Sequence, residues 1–303
     1  MSSTQSHVAE VASIFTSGTG AKERYGDVIF WSLEVGRIER QHLIDIWTGA
    51  GLDEGLLPEE NSFEKSLKTA VGENSTGLKD RLIRKGFEDS SEVSFDIQQE
   101  VKVKGQPNKI TPEARFWVDK SSGVFSSSDP NHPLVRKIQT DYHGLQNAHT
   151  VGDVRRAVTN ALRSFAAITL RDGGGVYWTP EQFSSEIRKL QSAISQISSS
   201  AVYLIPVVKT KDAQEALSAV AEGSLETDLK ALTDEIGEFI TAPPDRVGTL
   251  SRRLDSFKEL RSRAQLYKMV LGATVQGLDE NLTKLEDTVQ ALIETKESEK
   301  RRR

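Results

Sequence analysis

The chain has 303 residues, of which 37% are apolar and 27% are charged, and its formal net charge is −5. This composition is typical of a folded protein with much exposed helix, and the negative net charge excludes a global attraction for nucleic-acid phosphates. Because cysteine is absent, disulfides, thiolate metal sites and a cysteine nucleophile are excluded. No stretch approaches the roughly 18 apolar residues of a membrane-spanning helix, and we expect a cytoplasmic protein without a transmembrane segment.

The first part of the chain predicts an α+β domain over residues 26–128, preceded by a flexible lead-in over residues 1–25. β-Branched and aromatic residues predict a strand over residues 28–35. Helical spacing of the apolar residues predicts a helix over residues 38–48. A second helix is predicted after Asn61, which we interpret as its N-cap.

Apolar and polar residues alternate from residue 93 onward. This alternation predicts a strand over residues 93–103, and further strands are predicted over residues 114–118 and 124–125. One apolar and one polar face are typical of an antiparallel meander with a solvated side. A connection over residues 126–133, rich in Ser, Asp and Pro, indicates the end of this domain.

Residues 129–303 predict a second, mostly helical domain. Thr150 and Asp153 have the spacing of a capping box at the start of its first strongly amphipathic helix. Short strands are predicted over residues 176–178 and 201–208, and we expect these two to pair with each other.

The end of the chain predicts an antiparallel coiled-coil or helical-bundle hairpin over residues 212–241 and 246–298, because apolar residues recur every 3.5 positions. Arg261 and Lys268 interrupt the seam of the last helix. They either set its register or partner number, or lie where the seam is open to solvent. The last helix would be much longer than its partner, so its uncovered seam predicts self-association or docking of another protein. The seam residues in question are Leu271, Val275, Leu278, Leu282, Leu285, Val289 and Leu292.

A family resemblance rests on the succession of segments between residues 151 and 240. A helix is followed by Gly-Gly-Gly-Val-Tyr-Trp-Thr-Pro at residues 173–180, an amphipathic helix, the strand-like residues 203–207 and a heptad helix. This succession is similar to an uncharacterised domain family of bacteria, archaea and their viruses, as is the front part that ends near residue 58. The resemblance implies a prokaryotic or viral origin and a setting in host–virus conflict, such as antiviral defence. It implies no known activity and no catalytic residues.

Residues 151–180, a helix followed by a glycine turn and a strand, also predict a winged-helix-like segment as an alternative. Its arginines would then face nucleic-acid phosphates. The other interpretation is an amphipathic helix with a basic solvent face. The arginines are Arg155, Arg156, Arg163 and Arg171.

Three further short patterns have functional and structural interpretations. Asp96, Glu100 and Lys102 could hold Mg²⁺ and orient a water in a nuclease, or form the polar side of an alternating strand. The glycine-rich residues 18–22 lack the spacing of a phosphate loop and are interpreted as part of the lead-in. The basic residues 300–303 are interpreted as a helix end whose cations suit the helix dipole.

No group of residues has the spacing of a catalytic, metal-binding or cofactor-binding site, so we assign no such residue and expect no cofactor. The heptad pattern favours a non-enzymatic interaction or assembly protein, although enzymatic activity stays open. The expected partner is a second copy or a different protein that binds the C-terminal helices. The alternatives are nucleic-acid binding and Mg²⁺-dependent nuclease activity.

Overall fold

The computed structural model describes residues 23–34, 36–101, 109–171, 173–244 and 246–302. Within these residues the strands are β1 (Arg24–Ser32), β2 (Arg37–Glu39), β3 (Arg81–Glu88), β4 (Glu92–Val101), β5 (Lys109–Asp119), β6 (Phe125–Ser127), β7 (Ala148–Thr150), β8 (Ile168–Thr169), β9 (Val176–Pro180) and β10 (Ala201–Val208). The helices are α1 (Arg40–Gly49), α2 (Phe63–Ser75), α3 (Pro133–Gln146), α4 (Val151–Ser164), α5 (Ser184–Ile194), α6 (Lys211–Thr241), α7 (Val247–Leu271) and α8 (Leu278–Arg302).

The chain folds into two compact units. Unit 1 contains β1, β8, β9, β10 and the last three helices, whereas unit 2 contains β2–β7 and the first three helices. Helices α4 and α5 each contribute residues to both units. This division differs from the predicted domains over residues 26–128 and 129–303, because β1 pairs with β9 and β10, which are more than 140 positions further along the chain.

The sheet of unit 1 has the strand order β10-β1-β9-β8, with every neighbouring pair antiparallel. Numbered along the chain within the unit, this order is 4-1-3-2, and the helices α4 and α5 complete a βαββαβ succession of the ferredoxin-like type. The predicted pairing of residues 176–178 with residues 201–208 is therefore wrong, because β1 lies between these two strands.

The two faces of this sheet have different neighbours within unit 1. Val28 and Trp178 lie on one face and belong to the core formed with the last three helices. The Trp178 ring lies 6.4 Å from the ring of Tyr267 in α7. On the opposite face, the hydroxyl of Ser184 at the start of α5 donates a hydrogen bond of 2.8 Å to the buried carboxylate of Asp27. The sheet thus lies between α5 and the C-terminal helices.

Helices α6, α7 and α8 pack around one apolar core in unit 1. Helix α7 ends at Leu271 because Gly272 adopts a left-handed backbone conformation, with φ of 78°, that glycine accepts without a steric penalty. Residues 272–277 then separate α7 from α8, and α8 packs back against α7. The predicted continuous helix over residues 246–298 is therefore wrong, and the predicted hairpin is replaced by three packed helices.

Unit 2 contains an antiparallel sheet with the order β3-β4-β5-β6. Its apolar face packs against α2 and α3, and the rings of Phe95 and Phe116 stack at 5.8 Å within this core. A second, two-stranded sheet joins β2 to β7. The N-cap of α2 is Ser62, whose hydroxyl accepts the N–H of Lys65, so the predicted cap at Asn61 is wrong. Asn61 donates instead to the carbonyls of Leu145 and Ala148.

The coarse fold class is confirmed, since a region with antiparallel sheets and helices precedes a mostly helical C-terminal part. None of the helices in the described part of the chain is long and apolar enough to cross a membrane. The glycine-rich residues 18–22, and most of the predicted lead-in over residues 1–25, lie outside the described residues.

Candidate functional site

Four half-buried aromatic residues meet at one end of the sheet of unit 1, and we call this group the aromatic end. The rings of Phe30 and Tyr203 are stacked, with centroids 5.0 Å apart and planes 19° apart. The rings of Trp31 and Tyr177 form a second stack, with centroids 5.2 Å apart and planes 19° apart. Aromatic rings at neighbouring strands of a sheet, still partly open to solvent, can stack planar ligands.

The register of the strands explains why the rings meet in these pairs. Phe30 lies directly opposite Tyr203 of β10 and Val176 of β9. Trp31 follows Phe30 and points to the other face, because side chains alternate along a strand. Tyr177 lies opposite Ile29, diagonally from Trp31 on that same face. Each face of the sheet therefore presents one stacked pair.

The helical core covers only part of the face that carries Phe30. Val28, two residues before Phe30, packs against the C-terminal helices, as does Trp178. Phe30 and Tyr203 lie outside that core and keep partial solvent exposure. Phe30 and Tyr203 are thus partly exposed and do not belong to the core that the helices form in unit 1.

The loop between β8 and β9 carries a positive charge, and its backbone adjoins the strand residue opposite Phe30. The N–H of Leu170 donates to the carbonyl of Val176, the residue opposite Phe30. Arg171 comes next, is exposed and forms no ion pair with any residue that the structure describes. The three glycines at residues 173–175 have φ between 79° and 87°, and a Cβ on Gly174 would lie 3.2 Å from the Tyr177 hydroxyl. They lie in the loop that joins the antiparallel strands β8 and β9.

Comparison with known sequences assigns the chain to a family. The model of the family of unknown function DUF6744 matches residues 25–298. The chain belongs to this family. The predicted membership of an uncharacterised domain family is thereby confirmed. No curated protein and no solved structure matches this DUF6744 chain significantly.

The four arginines proposed for nucleic-acid contact in this DUF6744 member are all exposed, but they do not form one patch within a unit. Arg155 and Arg156 lie in the part of α4 that belongs to unit 2, and Arg156 is 3.8 Å from the Asp153 carboxylate. Arg163 and Arg171 belong to unit 1. The winged-helix interpretation of residues 151–180 is wrong, because β8 and β9 are part of a four-stranded sheet with βαββαβ order.

The predicted interaction seam is largely buried inside unit 1. Leu271, Leu278, Leu282 and Val289 are at most 5% exposed, and Val275, Leu285 and Leu292 pack against the same core. The surplus apolar surface on which the prediction of self-association rested is therefore covered within the chain. Of the two charged seam positions, Arg261 binds Glu286 of α8 at 2.8 Å, and Lys268 is exposed.

The nuclease interpretation is not supported by the surroundings of its carboxylates. Asp96 forms an ion pair of 2.7 Å with Arg115 across the sheet of unit 2. Glu100 lies near the end of the same strand, and Lys102 is outside the described residues. Among the described residues, no group of three His, Cys, Asp or Glu side chains could hold a metal ion. The basic residues 300–303 have no described side chains.

Proposed function

We propose that the chain binds single-stranded nucleic acid at the aromatic end of unit 1. The observation that carries the proposal is the pair of stacked, partly exposed rings of Phe30 and Tyr203 on adjacent strands of a 4-1-3-2 sheet. In one class of RNA-binding domain, a four-stranded sheet stacks two or three bases on its surface aromatic residues. Stacking does not depend on base identity, because every base has a π-face.

The charges around the aromatic end support binding that is driven by stacking. Arg171 is an exposed guanidinium on the adjoining loop, and it can contact a phosphate or stack on a base. The net charge of −5 provides no general attraction for the polymer. We therefore expect few phosphates to be neutralised, and the affinity should fall only shallowly with salt, with a slope corresponding to about one or two released counterions.

Titration with a fluorescently labelled, unstructured 12-nucleotide oligo(U) or oligo(dT) tests the proposal. The variant Phe30→Leu/Tyr203→Leu keeps apolar side chains but removes the rings, and its affinity should fall at least about tenfold, because stacking contributes about 1–3 kcal/mol per base. Arg171→Ala should weaken binding less, by about threefold, and flatten the salt dependence.

Phe87→Leu is the matched control, because Phe87 is an aromatic residue of unit 2 that is 55% exposed. It should leave the affinity unchanged. Absence of binding to the parent protein at low salt would contradict the proposal, and so would an equal loss of affinity in the Phe87 control. Circular dichroism of each variant establishes that the fold is retained.

The interaction or assembly role predicted from the heptads stays a proposal, as do coiled-coil geometry for the last helices and the host–virus setting. The heptad seam no longer provides the surface for such a role, because most of the seam is buried. Ile240 near the end of α6 is 59% exposed, and the neighbouring Phe239 is only partly buried. This end of α6 offers an exposed apolar contact for assembly.

A further inference from the structure

A cavity of about 330 Å³ opens at the start of helix α3 in unit 2. Its volume lies at the lower end of the range found for small-molecule sites. It is lined by Leu78, Arg81, His132, Pro133, Leu134 and Lys137. Half of these residues are apolar, the other half carry or can acquire a positive charge, and no carboxylate is among them.

The cationic side chains have a defined arrangement. Glu113, outside the cavity lining, accepts two hydrogen bonds from the Arg81 guanidinium, at 2.7 and 3.1 Å, and holds that group in place. The same carboxylate lies 3.4 Å from His132 Nε2. His132 Nδ1 is buried and has no hydrogen-bond partner among the described residues. Lys137 is exposed and forms no direct ion pair with a described residue, although it interacts electrostatically with the Asp141 carboxylate, one turn further along α3.

The backbone at the cavity adds a further positive contribution. Helix α3 begins directly after His132, which makes no side-chain capping hydrogen bond, and Pro133 occupies its first turn. No acidic residue lies in the first turn of this helix. Free N–H groups at a helix start, together with the helix dipole, favour a negative charge. The cavity therefore combines the apolar side chains of Leu78 and Leu134 with the ammonium group of Lys137 and the start of α3, whereas the Arg81 guanidinium is paired with Glu113.

We propose that this cavity binds a small organic anion, a carboxylate or phosphate monoester that carries an apolar body. The apolar body packs on Leu78 and Leu134, and the anionic group contacts Lys137 and the start of α3. The site is in unit 2 and does not involve the aromatic end, so this proposal is independent of the proposed nucleic-acid binding.

Titration of the full chain with phenyl phosphate and with benzoate, followed by NMR of the leucine methyl groups, tests the proposal. We expect saturable shifts of the Leu78 and Leu134 methyls with a dissociation constant of about 1 mM. Benzyl alcohol, which lacks the charge, and inorganic phosphate, which lacks the apolar body, should each bind at least about tenfold more weakly.

Lys137→Glu should weaken phenyl phosphate binding by about tenfold or more. Arg84→Glu is the matched control, because Arg84 is an exposed cation of β3 that does not line the cavity. Each of three outcomes would overturn the proposal. These are absent or non-saturable methyl shifts, benzyl alcohol or inorganic phosphate binding as tightly as phenyl phosphate, and equal losses in the Lys137 and Arg84 variants.

Discussion

Asp153 is a buried carboxylate of unit 2 that gathers several hydrogen bonds. It accepts from Lys65 Nζ at 2.9 Å, and from the N–H and hydroxyl of Thr150 at 3.0 and 2.9 Å. Burial raises the pKa of Asp153, but these hydrogen bonds outweigh burial and hold the pKa below its usual value. The stability that this ionised group contributes is therefore present above the unfolded-state pKa of about 3.9, and is lost as pH falls through the lower folded-state pKa.

Asp153→Asn should lower the free energy of unfolding of unit 2 by about 1–3 kcal/mol at neutral pH, because Lys65 and Thr150 lose a charged acceptor. The variant should also lose less stability than the parent on acidification below about pH 4. Urea unfolding at neutral and acidic pH measures both effects. Asp234→Asn removes a carboxylate from an exposed i,i+4 pair with Lys230, and such pairs contribute little. Equal effects of the two substitutions would contradict the assigned role of Asp153.

Local hydrogen bonds of this kind were predictable from sequence, whereas distant ones were not. The capping box of Thr150 and Asp153 is confirmed by the hydrogen bonds in both directions between them. Lys65, the other partner of Asp153, is 88 positions away, and no local pattern indicates that contact. The contact between Phe30 and Tyr203 could not be predicted for the same reason. Aromatic residues favour strands, which local sequence shows, but the stacking of these two rings depends on the register between two strands that are distant in sequence.

At the scale of elements, the decisive feature is the break between α7 and α8. Arg261 binds the Glu286 carboxylate with two hydrogen bonds, at 2.8 and 3.3 Å, and lies 3.4 Å from Asp279. Residues 25 positions apart in one continuous helix would be about 37 Å apart. This ion pair is therefore specific to the folded-back arrangement of the two helices.

A double-mutant cycle on this pair tests that arrangement. Arg261→Glu and Glu286→Arg should each destabilise unit 1, and the charge-swapped double variant should recover about 0.5–1 kcal/mol of the summed loss, as is usual for half-exposed ion pairs. Thermal unfolding monitored by circular dichroism provides the free energies. Combining Arg252→Glu with Glu286→Arg should be additive, because Arg252 is an exposed residue that does not contact Glu286. If the free-energy changes of Arg261→Glu and Glu286→Arg were also additive, the two residues would not interact, and one continuous helix would be favoured over the folded-back arrangement.

Periodicity predicted the helices but not this break. The 4, 3 spacing of apolar residues continues across Gly272 because both helices bury one face in the same core. The signal for the end of α7 is Gly272 itself, a residue that commonly adopts the left-handed conformation after a helix. A single glycine within a strong heptad pattern is a weak signal, since helices also tolerate interior glycines such as Gly223 and Gly237 of α6.

At the scale of the whole molecule, sequence order does not follow spatial order. In the sequence, most of unit 2 is inserted between β1 and the other strands of the unit 1 sheet. Strand β1, at the start of the described chain, therefore pairs with strands that follow more than 140 residues later. The predicted meander of β4, β5 and β6 is local and was recognisable from alternation. The 4-1-3-2 strand order of the unit 1 sheet could not be recognised from the sequence, because it depends on two crossovers and on an insertion that no periodicity indicates.

The solution mass distinguishes the two functional proposals at this scale. Because the core of α6, α7 and α8 is filled by residues of one chain, we expect a monomer near 33.5 kDa in light scattering at all protein concentrations tested. A larger species would require an apolar contact other than the buried seam, and the exposed Ile240, next to the partly buried Phe239, offers one. Dissociation of such a species by Ile240→Asp, but not by Met269→Asp at another exposed position, would favour assembly. A monomer that still binds oligonucleotide would favour the aromatic end, since stacking on one sheet needs no second copy.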